Sequence, residues 1–484
     1  MKDKIISIDQ GTSSTRSVLY NNKGQFIDAV QIEFEQIFPD DGWVEHNPEI
    51  IWETVLSSLK SLAHDNKIDS SEIASIGITN QRETTVIWNK RTGKPIHNAI
   101  VWQDRRTATY CDSLKQHEDL IRKKTGLTID PYFSATKINW LLENVKGARE
   151  DAKKGDLLFG TIDSYLIWKL TDGNSHKTDI TNASRTMLFN IKEEKWDNDL
   201  LDLFDIPVNL LPTVCENASD FGSTKVLGGQ INIGGVAGDQ QAALIGQCCF
   251  NPGEVKSTYG TGCFMIVNTG DKVVYSTNKL LTTIGYKING ETSFALEGSI
   301  FVAGSAVQWL RDGLGMFKDS SETETLSMNA SKSSKVLVVP ALTGLGAPYW
   351  DADARGAIFG LTRDTGREEI TKATLESIVF QSKDLLEAMK KDEASFQKLM
   401  IDGGMVVNDW FCQKLSNILE VEVIRPKIIE TTSLGAAFLA GLNAGVFEDL
   451  NSLRDSKEVE RTFSPEEDEN RYLEWKEAVA KILS

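Results

Sequence analysis

The sequence predicts an α/β protein in two related halves, and three observations support this. Its 484 residues exceed the roughly 100 to 200 of a typical domain. Strand patterns lead into amphipathic helical ones, a mixture that fits neither a sandwich nor a bundle. A strand, polar turn, strand order near the N-terminus recurs past the middle of the chain, although identity between the halves is weak. With 40% hydrophobic and 25% charged residues the chain can fill a core and keep a charged surface, which excludes a disordered or collagen-like polymer.

The first half opens as a meander. Residues 4–8 read as a strand entering the core, 11–15 as a polar turn, 17–20 as the return and 26–35 as a third strand after the turn at 22–24. Asn47 has the chemistry of an N-cap with Pro48 at the first helical position, and Ile51, Val55, Leu59 and Leu62 share one face of the helix that follows. Strands are predicted at 73–79 and 84–89. In the second half, 255–259 is strand-like, 260–262 is a turn and 264–268 returns; strands near 280–288 and 293–296 and helices at 303–312 and 370–391 follow. The tail from Thr462, with SPEEDENRYLEWKEAV, reads as an amphipathic surface helix with an acidic start. Gly, Asn and Pro interrupt the apolar pattern at 246–254, dividing the chain into domains 1–246 and 247–484.

Composition narrows the function classes. Lys plus Arg number 52 against 69 Asp plus Glu, and the net charge of -17 disfavours a nucleic-acid partner where no basic patch offsets it. The longest apolar stretches, such as VLVVPAL from Val336, are too short to span a bilayer, and the start MKDKIISIDQG lacks the long apolar region of a secretory signal. Six cysteines without a C-x-x-C fit a reducing cytoplasm, with Cys248 and Cys249 as buried small residues. The five histidines, none at H-x-x-x-H spacing, leave little material for a histidine metal site.

Several segments carry chemistry. In Asp9-Gln10-Gly11-Thr12-Ser13-Ser14-Thr15-Arg16, a carboxylate at a strand end can face a metal ion, Gly11 permits close approach, and the hydroxyls and amides can surround phosphate oxygens; a hairpin turn of small polar residues is the alternative. Tyr259-Gly260-Thr261-Gly262-Cys263-Phe264 is a similar turn, and one in each half suits a phosphate chain lying between them. The glycines of Ile401-Asp402-Gly403-Gly404-Met405, ahead of Asn408, can let a flat ring approach the backbone. Asp239, in Gly238-Asp239-Gln240-Gln241, is rigidly placed to accept a proton from a hydroxyl or to cap the following helix, and both roles can coexist. Arg82-Glu83 sets donors beside an acceptor and can hold neighbouring hydroxyls of a polyol. Trp102, Tyr132 and Phe264 are core aromatics or an apolar wall for a small substrate. The crowding of Asp104, Arg105 and Arg106 is unusual for a solvated surface. Neither a G-x-x-x-x-G-K-[ST] nor a G-x-G-x-x-G motif occurs.

Taken together, IDQGTSSTR, GITNQRET, VWQDRRT, GTIDSYLIWKLT, AGDQQAALIGQ, STYGTGCF, GLGAPYWD and TSLGAAFLAG make the chain resemble, over almost its full length, the FGGY family of carbohydrate kinases, and within it the branch that phosphorylates glycerol. The resemblance implies a two-domain actin-like, ribonuclease H-like ATPase fold with an interdomain cleft, in which ATP phosphorylates glycerol to sn-glycerol 3-phosphate. By match to family motifs, Asp239 is the general base; Arg82, Glu83, Tyr132, Asp239 and Gln240 hold glycerol, and Trp102 with Phe264 packs its carbons. Thr12, Ser13, Ser14, Arg16 and Thr261 match the phosphate sites, Gly304, Gln308, Gly404 and Asn408 the rest of the nucleotide pocket, and Asp9 would orient Mg2+. The resemblance also implies a dimer or tetramer. Residues 219–238 contain neither the histidine nor the arginine through which some relatives are regulated, so neither control is expected. The alternatives are an erythritol or xylulose kinase of the same fold, a nucleotide-driven ATPase switch, and a structural or binding protein.

Overall fold

A computed structural model describes residues 2–351, 353–392, 394, 396–455 and 457–483. Met1 and Ser484, the outer ends of the two expected domains, lie outside the described residues. The first half builds a six-stranded sheet from β1 (Lys4–Gln10), β2 (Ser14–Asn21), β3 (Phe26–Glu33), β4 (Ile73–Asn80), β5 (Ser223–Thr224) and β6 (Ile231–Gly238), in the order β5-β6-β4-β1-β2-β3. The second half builds a seven-stranded sheet from β7 (Val255–Tyr259), β8 (Cys263–Gly270), β9 (Leu281–Ile288), β10 (Glu291–Ile300), β11 (Lys398–Asp402), β12 (Glu422–Pro426) and β13 (Val459–Phe463), in the order β9-β10-β8-β7-β11-β12-β13.

The suspected repetition is present in the topology. In each sheet the first strand pairs antiparallel with its successor across a polar turn and parallel, on its other edge, with a strand from later in the chain. The helix α1 (Pro48–Asp65) starts where the sequence indicates, the Asn47 side chain accepting from the Glu49 amide, and buries Ile51, Val55, Leu59 and Leu62 in the first core.

Two further helices join the halves. The helix α2 (Asp239–Gly246) follows β6 of the first sheet but packs on the second, whereas α5 (Thr431–Asn443) follows β12 of the second and packs on the first. The helix α3 (Arg367–Lys391) and α4 (Asp409–Leu419) cover the second sheet with α6 (Tyr472–Ala480). Where α2 and α5 cross, a Cβ on Gly435 would stand 1.8 Å from the Ala242 carbonyl oxygen, so only glycine allows this approach. Around the crossing, Leu244, Ile245, Phe438 and Leu439 meet Ile5 and Val18 from the first sheet and Ile266 from the second. At about 1.5–3 kcal/mol for each large side chain fully buried, this shared core fixes the two turns relative to each other.

Several boundaries differ from the sequence reading. The strand expected at 84–89 runs from Val86 to Asn89, because residues 81–85 leave the extended path and Glu83 takes a φ of 60°. The helix expected at 303–312 is present at 304–313, but only Gly304–Gln308 is α-helical and it widens into a π-helical segment, Trp309–Gly313. The tail is not an acidic surface helix: residues 459–463 form β13, the acidic run stays irregular, and α6 begins only at Tyr472 and buries Trp475, Ala478 and Val479. Carboxylates crowded within one turn repel each other, which disfavours a helical start there. Asp104 and Arg106 are structural: Arg106 bonds Asp104 and Glu45 and stacks on Trp43 and Trp140.

Candidate active site

The turns between β1 and β2 and between β7 and β8 line one cavity of about 150 Å³, with Thr12 on one side and Gly260, Thr261 and Gly262 on the other. The first turn is closed by the Gly11 amide donating to the Ser14 carbonyl at 2.9 Å, and the second by Gly260 to Gly262 at 2.9 Å. Arg82, Glu83, Trp102, Tyr132, Asp239, Gln240, Thr258 and Phe264 complete the lining. Every acceptor-site residue expected from the sequence is therefore brought together.

The aromatic residues form a wall. Trp102 meets Tyr132 and Phe264 edge-on, with ring centroids 5.7 and 6.1 Å apart, and its indole N–H donates to the Thr12 hydroxyl at 3.0 Å. Asp239 is the first residue of α2 and does not cap it; the preceding Gly238 holds that position, and the Asp239 Oδ1 instead accepts from the Gln240 amide at 2.7 Å and lies 3.1 Å from the Arg82 Nε. Asp239 thus satisfies one first-turn amide of α2 from inside the helix, a role that coexists with facing the cavity.

Behind these groups runs a buried ion network that sequence reasoning missed. Arg82 forks onto Glu297, Nη1 to Oε2 at 2.5 Å and Nη2 to Oε1 at 3.0 Å, and its Nη1 also reaches Gln241 at 3.2 Å. Arg185 joins Glu297 at 3.0 Å to Glu83 at 2.6 Å. Burial pushes the Glu297 carboxyl up, but Arg185 and Arg82 outweigh it and hold it at about 2. Burial wins at Glu83, whose carboxyl is raised against the pull of Arg185 and Arg82. Much of the donor capacity of Arg82 is thus spent on protein carboxylates, which fixes its orientation. The available signal was the charge of Glu297 within the apolar run of β10 and that of Arg185 among small residues ahead of Met187 and Leu188.

A second cavity, of about 510 Å³, adjoins the first at Gly260 and Thr261 and includes Gly304, Gln308, Gly404 and Asn408, the four remaining nucleotide-pocket candidates. Gly403 has a φ of 92°, and a Cβ there would stand 2.6 Å from the Tyr259 carbonyl oxygen, so glycine lets this loop close on the second turn. Ser13, Ser14, Arg16 and Asp9 line neither cavity. The Arg16 guanidinium bonds Gln31 and lies 2.5 Å from Glu430, and Gln31 also bonds Ser14. Burial pushes the Asp9 carboxyl up to about 7, with Glu430 and Asp239 adding to the effect and Arg16 opposing it. A buried carboxylate with Glu430 and Asp239 near it fits a hard divalent cation held by one carboxylate together with a ligand's phosphates, and among the described residues no group of three or more His, Cys, Asp or Glu forms a cage for one.

Fold and site define a two-domain small-molecule kinase, with a polar turn from each half meeting at a cavity that Asp239 and Glu83 line. The N-terminal domain of the FGGY family of carbohydrate kinases matches residues 4–246 and its C-terminal domain matches 255–444, and the chain belongs to that family. It is 57% identical to the glycerol kinase of Alteromonas mediterranea over 100% of this chain and 99% of the relative, and 54% identical to that of Marinomonas sp. over 100% and 99%. Among solved structures, the Plasmodium falciparum glycerol kinase with ADP superposes with a TM-score of 0.90 at 38% identity, covering 99% of this chain and 98% of that one.

Proposed function

We propose that this carbohydrate kinase transfers the γ-phosphoryl group of ATP to a terminal hydroxyl of glycerol, giving sn-glycerol 3-phosphate in glycerol catabolism, with Asp239 as the general base. The observation that carries this reading is the single small cavity in which Asp239, the Arg82-Glu83 pair and the aromatic wall meet both polar turns. Identities above 50% to glycerol kinases over the whole chain support the choice of acceptor.

The residues divide the work. Glycerol is small and uncharged, so orientation must come from hydrogen bonds: Arg82, Glu83, Tyr132 and Gln240 hold its hydroxyls while Trp102 and Phe264 pack its carbons. Asp239 takes the proton that the attacking hydroxyl releases. Gly304, Gln308, Gly404 and Asn408 hold the nucleotide, Thr12 and Thr261 meet its phosphates from the cavity walls, and Ser13, Ser14 and Arg16, set back from both cavities, would complete the phosphate site as the cleft closes. Asp9 would hold Mg2+, which when bound neutralises charge on the phosphates. An apolar wall and closure over the acceptor keep water from competing for the phosphoryl group. Six free cysteines, five of them buried, accord with work in a reducing cytoplasm, and none of the helices among the described residues is long and apolar enough to cross a membrane.

The test is Mg-ATP consumption with direct detection of phosphorylated product from glycerol, erythritol, xylulose or water alone. Glycerol-dependent formation of glycerol 3-phosphate is expected. Preference for another polyol would overturn the acceptor assignment, and ATP loss without a phosphorylated product would overturn the kinase reading.

A further inference from the structure

We infer that Lys256 is a positioning residue for this phosphoryl transfer, fixing which way two cavity-lining side chains present their hydrogen-bonding groups. The inference rests on the acceptor-kinase reading above. Lys256 lies in β7 with no solvent exposure. Its ammonium donates to the Gln240 Oε1 at 2.5 Å and to the Thr258 hydroxyl oxygen at 2.9 Å, so among the described residues both of its side-chain partners are neutral. Among the described residues no carboxylate touches the ammonium: burial pulls it toward the neutral form, Asp402, Asp239 and Glu297 oppose this from a distance, and contacts made only to neutral groups of the adjoining site are what a positioning role requires.

Donor and acceptor chemistry makes that role specific. An ammonium only donates. Gln240 must therefore turn its carbonyl oxygen toward Lys256, which leaves the amide NH2 pointing elsewhere; Thr258 must accept with its oxygen, which leaves its O–H to donate. Neither of those donors meets a partner among the described residues, and both side chains line the 150 Å³ cavity beside Asp239. One buried cation thus sets two free donors on the cavity wall next to the carboxylates of Asp239 and Glu83. A hydroxyl can then lodge its oxygen against the donors and offer its proton to Asp239. Gln240 comes from α2 and Thr258 from β7, so the same ammonium ties the two halves of the chain together at the floor of the site.

The test is steady-state kinetics and thermal unfolding of Lys256→Met, an unbranched apolar substitute, beside Gln240→Met and the double variant. In Lys256→Met, kcat/KM for glycerol is expected to fall about 10- to 100-fold, the range a small misplacement of a reacting group produces. The KM for ATP should stay within about twofold, and the melting temperature should not drop, since an apolar side chain replaces a buried charge. The double variant should lose no more than the worse single one, because both substitutions remove the same presented donor. Unchanged glycerol kinetics, strictly additive losses, or a parallel loss of ATP affinity and thermal stability would each overturn the assignment. If Lys256→Met does not fold, Thr258→Val decides, since that hydroxyl has no role here other than the one Lys256 sets: wild-type glycerol kinetics in that variant overturns the inference, and a loss confined to the glycerol constants supports it. A wild-type protein that forms no glycerol 3-phosphate overturns the function itself along with the inference, whereas an active wild type matched by an equally active Lys256→Met overturns the inference alone.

Discussion

The two cavities share Gly260 and Thr261 but are built from opposite materials. The smaller one is walled by side chains held in a buried network of charges, Asp239 to Arg82, Arg82 to Glu297, Glu297 to Arg185 and Arg185 to Glu83. The larger one is shaped by turns, by glycines, by hydroxyls and by apolar side chains, and its three charged residues, Arg311, Asp319 and Glu324, are half-buried or exposed rather than locked in a buried network. The contrast follows from the two ligands proposed. A nucleotide carries its own charge and needs room and backbone donors, whereas a neutral triol carries none and can be oriented only by polarity that the protein fixes in advance. Substitutions should therefore act through orientation and buried charge on the acceptor side, and chiefly through shape and neutral hydrogen bonds on the nucleotide side.

The largest break in that contrast is expected at Asp239. Asp239→Asn keeps the shape and the contact with the Arg82 Nε but removes the proton acceptor, and turnover should fall about 10²- to 10⁴-fold with glycerol binding by calorimetry little changed. Wild-type turnover would remove Asp239 from the role of required base.

Glu297→Gln should be next, and its effect should depend on pH. The Glu297 carboxyl sits at about 2 in the fold against an ordinary value of 4.5, so the folded state binds fewer protons than the unfolded chain between those values. Stability from this group is complete above about 4.5 and is lost as the pH falls toward 2, an amount on the order of 3 kcal/mol. Urea unfolding of wild type and Glu297→Gln should therefore differ most at neutral pH and converge on acidification. A difference that stays constant down to pH 3 would show that Arg82 and Arg185 do not act through the Glu297 charge.

These same residues show where sequence reasoning stops. The turns, the Asn47 cap and the apolar face of α1 are local, written within a few residues, and could be read directly. The partner of Arg82 is 215 residues away, and nothing in the spacing of either residue points to the other. Glu297 and Lys256 did carry one signal, a charge in the middle of a strand otherwise fit for burial, and weighing that signal would have marked both as members of a polar network. The exchange of α2 and α5 between sheets was not legible, because amphipathic periodicity tells which face of a helix is buried but not against what. Glu83 lines the cavity with the residues grouped with it from the sequence, but its left-handed φ, an unusual conformation for a side chain of that size, becomes visible only in three dimensions.

The smallest effect is expected on the nucleotide side, at Asn408. Its side chain caps α4, accepting from the Phe411 amide at 2.9 Å, and donates to the Thr323 hydroxyl at 3.2 Å. Asn408→Ala removes one neutral cap, worth about 1 kcal/mol, and leaves the glycine turns that form the pocket in place. The melting temperature should drop by a few degrees, the KM for ATP should rise by a small factor, and the glycerol constants should not move. Since the cap is neutral, none of these changes should vary with pH, unlike those at Glu297. A glycerol constant that shifts as much as the ATP constant would mean that the two cavities are coupled through α4 and that the division of labour between shape and charge does not hold.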